Sequence, residues 1–257
     1  MSQTETDQQV HLYWATGCTS CLRAKEFLER NGVSFVSHNV VENRSLLDDM
    51  EEQGMPRQVP IVRRGDEWME ARYLDDVARI ADVEHKADPL PVAELYRRLE
   101  GVLEAALDYV ERIPEPELDT NIPNRPRSYG ELAYHIFSIA EAFLDHEAGN
   151  TVNSSRPEAE WASHSKDSLV TYGQHVLARL RDWRESPGWE RDWAETANVH
   201  YGDPTVHGFF ERTTWHAGQH TRQLEWILEH RLDCGHTPLD SDLWEGLPMP
   251  EQVWDAL

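Results

Sequence analysis

The sequence predicts a multi-domain α/β plus all-α protein, in which a mixed sheet with helices on its faces is followed by a four-helix bundle. Three observations carry that expectation. Residues 9–84 alternate short β-rich runs with helix-period stretches. Residues 85–91, "HKADPLP", hold two prolines and read as a linker. Beyond them come four long amphipathic stretches with little strand character. A chain of 257 residues suits two modest domains, each burying its own core. The expected boundaries are 1–84 for the first domain, 85–91 for the linker, and 92–257 for the bundle with its C-terminal tail.

In the first domain, "QVHLYWA" (9–15) is a β-rich run that leads through Gly17 into a turn bearing Cys18 and Cys21. "CLRAKEFLERNG" (21–32) places Leu22, Ala24, Phe27 and Leu28 at helical spacing and stops at Asn31-Gly32. "VSFVSHNVV" (33–41) is strand-like, and "RSLLDDMEEQG" (44–54) is a polar helix that closes on Gly54. "VPIVRRG" (59–65) and "EWMEARY" (67–73) form a hairpin about Gly65-Asp66, and "LDDVARIAD" (74–82) is a final short helix. The order βαβαββα packs as one mixed sheet.

The bundle opens with residues 92–113, where Leu95, Leu99, Val102, Leu103, Ala106, Leu107 and Val110 share one stripe. After the Pro-rich stretch 114–127, a second helix starts at Ser128, with Glu131 three residues on as a capping box. A third covers 165–186 and a fourth 204–231.

The chain carries 24 Lys+Arg against 47 Asp+Glu, a formal net charge of -23. Residues 1–84 hold 9 basic and 16 acidic groups and the remainder 15 and 31, so neither part offers a basic face to a phosphate backbone. No nucleic-acid partner is expected. No apolar run is long enough for a membrane span, and "MSQTETDQQV" lacks a basic-then-apolar pattern, so a cytoplasmic protein with no membrane partner is the expectation.

Three cysteines do not make a disulfide scaffold, and residues 22–60 offer only His38 as a further zinc ligand. Cys-x-x-Cys at the mouth of a helix points to thiol chemistry instead. A thiolate there meets unpaired amides and the positive end of the helix dipole, which favours the charged form. Cys18 is the expected nucleophile, and Cys21, one turn inside, the residue that resolves a mixed disulfide.

"HLYWATGCTSC", the helix after it, and "QVPIV" (58–62) resemble the glutaredoxin branch of the thioredoxin fold over about 75 residues. The resemblance implies a thiol-disulfide oxidoreductase with a thioredoxin-fold mixed sheet. It further implies a cis bond before Pro60, with Val59, Pro60, Asp75 and Asp76 binding a thiol substrate. Two departures stand out: Thr19-Ser20 replaces the Pro-aromatic pair common between the cysteines, and Arg72-Tyr73 replaces the paired glycines ahead of the last helix. The thiol is therefore glutathione, another low-molecular-weight thiol, or a protein thiol.

In the fourth helical stretch, "WHAGQH" sets His216 and His220 four apart on one face, shared with Phe209, Thr213, Ala217, Leu224 and Ile227. His135 lies among Leu132, Ile136 and Ile139 and also faces inward. Three imidazoles from two helices suit one metal ion with an open position. His146 is the reserve ligand, Cys234 a free thiol, Trp215, Tyr134 and Phe210 candidate pocket walls, and Arg222 and Gln219 candidate carboxylate binders. "SYGELAYHIF", "TTWHAGQHTRQLEWIL" and "LWEGLPMPEQVW" resemble the DinB-like (YfiT-like) metalloproteins over 91–254. That resemblance implies zinc or nickel held by His135, His216 and His220. It also implies transferase or isomerase chemistry with a small thiol, and often a homodimer. Both resemblances point to thiols. The expected function is a thiol-dependent enzyme that joins Cys18/Cys21 exchange to metal activation of a low-molecular-weight thiol toward a small electrophile. The alternatives are a simple disulfide oxidoreductase with a helical docking domain, or a redox or metal sensor.

Overall fold

The computed structural model describes residues 9–150, 165–199 and 202–255. Its contacts divide the chain into two units, one of residues up to Asp88 together with those from Pro250 onward, the other Pro89–Met249. Among the described residues, no helix is long and apolar enough to cross a membrane.

The first unit runs β1 (Val10–Trp14), α1 (Thr19–Arg30), β2 (Phe35–Asn39), α2 (Ser45–Glu52), β3 (Ile61–Arg64), β4 (Glu67–Glu70) and α3 (Leu74–Ala81). The sheet order is β2-β1-β3-β4. Strands β1 and β2 are parallel, a pairing that needs a crossover, and α1 supplies it. The other two pairings are antiparallel. Period-two alternation then sorts the side chains. Val10, Leu12 and Val62 face a layer of Ala24, Phe27 and Leu28 from α1 with Val77, Ala78 and Ile80 from α3. Tyr13 and Ile61 face the opposite side with Val40, Met50 and Met55.

The register gathers the functional loops at one end of the sheet. Tyr13 pairs with Ile61 and Ile61 with Glu70, while Ala71 N–H donates to Pro60 O at 3.0 Å. The cysteine turn after β1, the Val59-Pro60 segment before β3 and the approach to α3 after β4 therefore leave the same edge.

One boundary differs from the sequence expectation, which kept the whole tail with the bundle. Residues 250–255 belong to the first unit. Glu26, only 5% exposed on α1, accepts the backbone N–H groups of Glu251 and Gln252 at 2.7 and 3.0 Å. A buried carboxylate must find donors, and these come from more than two hundred residues away, beyond any local pattern.

The second unit contains α4 (Val92–Arg112), α5 (Tyr129–Glu147), α6 (Lys166–Arg184) and α7 (Val206–Ile227). Helix α7 packs against α4 and α5, and α6 packs against the same two. The expected α4 stripe is buried through Leu95, Leu99, Val102, Leu103, Ala106 and Val110. The Ser128–Glu131 capping box is formed in both directions at the start of α5, its two hydrogen bonds measuring 3.1 and 2.6 Å. Ser128→Ala removes the acceptor for the Glu131 amide and should lower stability by about 1 kcal/mol, read as a lower urea midpoint with an unchanged slope.

Candidate functional site

In the first unit, the chemistry sits where β1 hands over to α1. Gly17 has a φ of 85°, a backbone state open to glycine, and so turns the chain sharply into Cys18. Cys18 is the N-cap of α1 in extended conformation, and its Sγ accepts from Cys21 N–H at 3.2 Å. The helix thus opens at Cys18 with Cys21 one turn inside, as expected, and the cysteine sulfur itself serves as the cap. Cys18 and Cys21 are joined in a disulfide with their Cα atoms 5.2 Å apart. Cys18 is half-buried, while Cys21 is 1% exposed, so an incoming thiol reaches the outer sulfur first.

The Val59-Pro60 bond is cis, as the resemblance implies. Asp75 and Asp76 lie in the first turn of α3. Burial, together with the charges of Asp75 and Glu70, pushes the Asp76 carboxyl above its ordinary range against the pull of Arg79. Asp75 is largely exposed, 3.8 Å from His85. Arg72, at a position where paired glycines are expected, turns its guanidinium to Glu70 at 2.7 Å and Gln58 at 3.3 Å. A contact invisible to sequence reading comes from the tail: Asp255 Oδ2 accepts from Gly17 N–H at 2.7 Å, next to Cys18.

In the second unit, the three expected histidines come together. Ring centroids of His135 lie 5.5 Å from His216 and 5.0 Å from His220, and the latter two are 4.8 Å apart. One ring nitrogen from each lies within 4.8 Å of the others, and the Nε2 atoms of His216 and His220 approach to 3.2 Å. His220 is 2% exposed, and His135 and His216 are half-buried, which leaves one side of the cluster open. Burial holds all three in the neutral form. It pushes His220 down to about 3, with the Arg127 charge second, and His135 and His216 well below their ordinary value. The Arg212 charge acts next on His216, and its Nη1 stands 3.4 Å from His216 Nδ1.

Gln223 Oε1 lies 2.7 Å from His220 Nδ1. An amide oxygen only accepts, so Nδ1 carries the proton and Nε2 presents a lone pair to the cluster. By the same rule Arg212 donates to His216 Nδ1, so His216 holds its hydrogen on Nε2 toward His220 Nε2, and the three imidazoles become a fitting donor set for a divalent ion once that proton leaves. Nitrogens bound at about 2.1 Å in a tetrahedron stand roughly 3.4 Å apart, close to the His216–His220 separation. His146 stays outside this group, at 3.2 Å from Glu147 Oε1.

Sequence reasoning missed Arg127, Arg212 and Gln223. Helical arithmetic reaches two of them, since Arg212 precedes His216 by four residues and Gln223 follows His220 by three. Arg127 lies in the Pro-rich loop, where no period operates. Of the suggested wall residues, Trp215 is buried beside His216, and Tyr134 stacks on Tyr172 at 5.0 Å. Phe210 belongs to an aromatic core with Phe143, Trp183 and Trp193. Arg222 donates to Gln219 Oε1 at 3.0 Å and lies over Trp244, so the two expected carboxylate binders hold each other. Cys234 is a free, half-buried thiol.

The histidine shifts carry a pH signature. Their folded-state pKa values lie below the value of about 6.5 that they have in an unfolded chain, so below that pH the unfolded chain takes up protons first. Stability of chelator-treated protein should fall as pH drops below about 6.5, by about 1.4 kcal/mol per pH unit for each imidazole protonated in the unfolded chain and still neutral in the folded one, for His220 down to about 3. Denaturant midpoints across that window should fall less steeply in the His216→Ala, His220→Ala double variant.

No curated protein matches the chain. The family model described as Glutaredoxin matches residues 10–69, the span from β1 through β4 that carries Cys18, Cys21 and cis-Pro60. With its mixed sheet, its capping cysteine and that match, the first unit holds a glutaredoxin domain, followed in the chain by a separate helical unit.

Proposed function

We propose that the chain is a thiol-dependent enzyme. In this reading the glutaredoxin domain exchanges disulfides, while His135, His216 and His220 hold a divalent metal that prepares a low-molecular-weight thiol for a small electrophile. The observation that carries it is the convergence of three neutral imidazoles beside two guanidinium groups, in a chain that also bears a capped cysteine pair.

The redox half runs as two exchanges. The Cys18 thiolate, held by the Cys21 amide, attacks a disulfide R–S–S–R′ and forms a Cys18 mixed disulfide with R, expelling R′S⁻. The Cys21 thiolate then attacks Cys18 Sγ, expels RS⁻ and leaves the Cys18–Cys21 disulfide. Two molecules of a small thiol return that disulfide to the dithiol and are themselves oxidised. Glutathione or another low-molecular-weight thiol fits both directions.

In the helical half, zinc or nickel is the ion that the DinB-like resemblance suggests, and once bound it supplies Lewis acidity that favours the thiolate of a thiol in the open position. The chain's own residues do the rest. Gln223 fixes the His220 ring so that Nε2 points inward. Arg127 and Arg212 set positive charge beside the imidazoles, suited to a thiolate and to a carboxylate carried by thiol or electrophile. Exchange through a diffusible thiol lets each unit work on its own substrate.

The test measures two reactions on the full chain, reduction of a mixed disulfide of glutathione and addition of thiols to a panel of small electrophiles. Cys18→Ser should bring the reduction to background, and Cys21→Ser should keep the first exchange alone. Gln223→Leu should leave the reduction intact and weaken metal binding about 10- to 100-fold. Reduction that survives in Cys18→Ser removes the redox half of the proposal. Absence of any metal-dependent thiol addition leaves a disulfide oxidoreductase with a helical docking unit.

A further inference from the structure

Helix α7 does not stop cleanly at Ile227. It widens into a π-helical turn, Leu228–Leu232, and the chain then reverses at Asp233 in the left-handed region, with φ 48°. Turns of this kind recur at functional sites. The reversal lays His236 back over the end of the helix, against Glu225 and against Glu229 within the wide turn.

His236 Nε2 lies 3.6 Å from Glu225 Oε1 and 3.5 Å from Glu229 Oε1, and its side chain is only 7% exposed. Its other ring nitrogen, Nδ1, is 3.3 Å from the carbonyl oxygen of Cys234. A carbonyl only accepts, so Nδ1 carries the hydrogen and Nε2 of the neutral ring turns a lone pair toward two carboxylates. That nitrogen is buried and makes no hydrogen bond. A lone pair set against carboxylates is unfavourable until a cation lies between them.

The surroundings set the charge of that cation. Arg112 is paired with Asp108 at 2.8 Å, so those two cancel. Glu225 and Glu229 bring two carboxylates, the second with His230 Nδ1 3.7 Å from its Oε2, and one divalent ion matches them. Glu225 Oε1 already accepts from Tyr109 O–H at 3.2 Å and Leu239 N–H at 2.6 Å, which fixes the carboxylate and leaves Oε2 as its oxygen for an ion. One ligand atom from each of the three residues lies within 4.8 Å of the others, near the span that bonds of about 2.1 Å to a common ion require. Glu229, 46% exposed, keeps the cluster open to solvent, so water can complete the set.

The geometry points to a second divalent-cation site, formed by Glu225, Glu229 and His236 and separate from the three histidines. Its mixed donor set suits a borderline ion such as zinc over magnesium, calcium or manganese, which prefer oxygen ligands. Bound there, the ion closes the segment 234–239 onto the end of α7.

The test uses the full chain, dialysed to equilibrium against zinc and counted by mass spectrometry. Glu229→Gln changes a half-exposed side chain with almost no change in volume, and it should bind one zinc per chain fewer than the wild type. His236→Ala should show the same loss. The His216→Ala, His220→Ala double variant should keep this equivalent, so failure of the three-histidine reading leaves this site standing. Equal uptake by the wild type, Glu229→Gln and His236→Ala would overturn the inference, and His236 would then be an imidazolium paired with both carboxylates.

Discussion

Three imidazoles turned toward one another inside a helical core form the constraint on which the account of the second unit depends. Each is held neutral by burial and by neighbouring guanidinium charge, and His216 and His220 bring their Nε2 atoms to 3.2 Å. Packing alone would favour apolar side chains at such positions, since buried polar groups cost free energy unless partnered. The surrounding helices meet that demand with specific partners. Gln223 fixes one ring, Arg212 stands beside another, and the Ser128–Glu131 cap secures the start of the helix that presents His135.

The first unit shows the same economy on a smaller scale. A helix start leaves amides without partners, and here a cysteine sulfur takes the place of the usual hydroxyl or carboxylate cap. Capping and reactivity are therefore one feature, because the donor that completes the helix also favours a thiolate. The tail adds a second carboxylate–amide pair at Gly17, so the residues leading into Cys18 are anchored from the far end of the chain.

Most of the fold was legible because its signals are periodic. Alternation in β1 and β3, the α4 stripe and the i,i+4 pair His216–His220 each follow from backbone geometry. The cis bond before Pro60 came through resemblance, while His135 was paired with the α7 histidines by its place on the inward face among Leu132, Ile136 and Ile139. What stayed illegible depends on tertiary neighbours. Glu26 finds its donors at Glu251 and Gln252, Arg127 reaches the histidines from a loop, and Arg222 turns to Gln219 and Trp244. Phe210, a candidate pocket wall from sequence, packs among three other aromatic rings, and an aromatic on a helix looks alike from sequence in either setting.

The central claim is that His135, His216 and His220 act together as a metal site. The most direct test is the metal content of purified protein, by mass spectrometry, for the wild type and the His216→Ala, His220→Ala double variant. The account predicts one more tightly held zinc or nickel per chain in the wild type than in the variant. Equal content in both, with the wild type failing to take up more on remetallation, would contradict it. The helical unit would then serve the glutaredoxin domain in some way other than thiol activation.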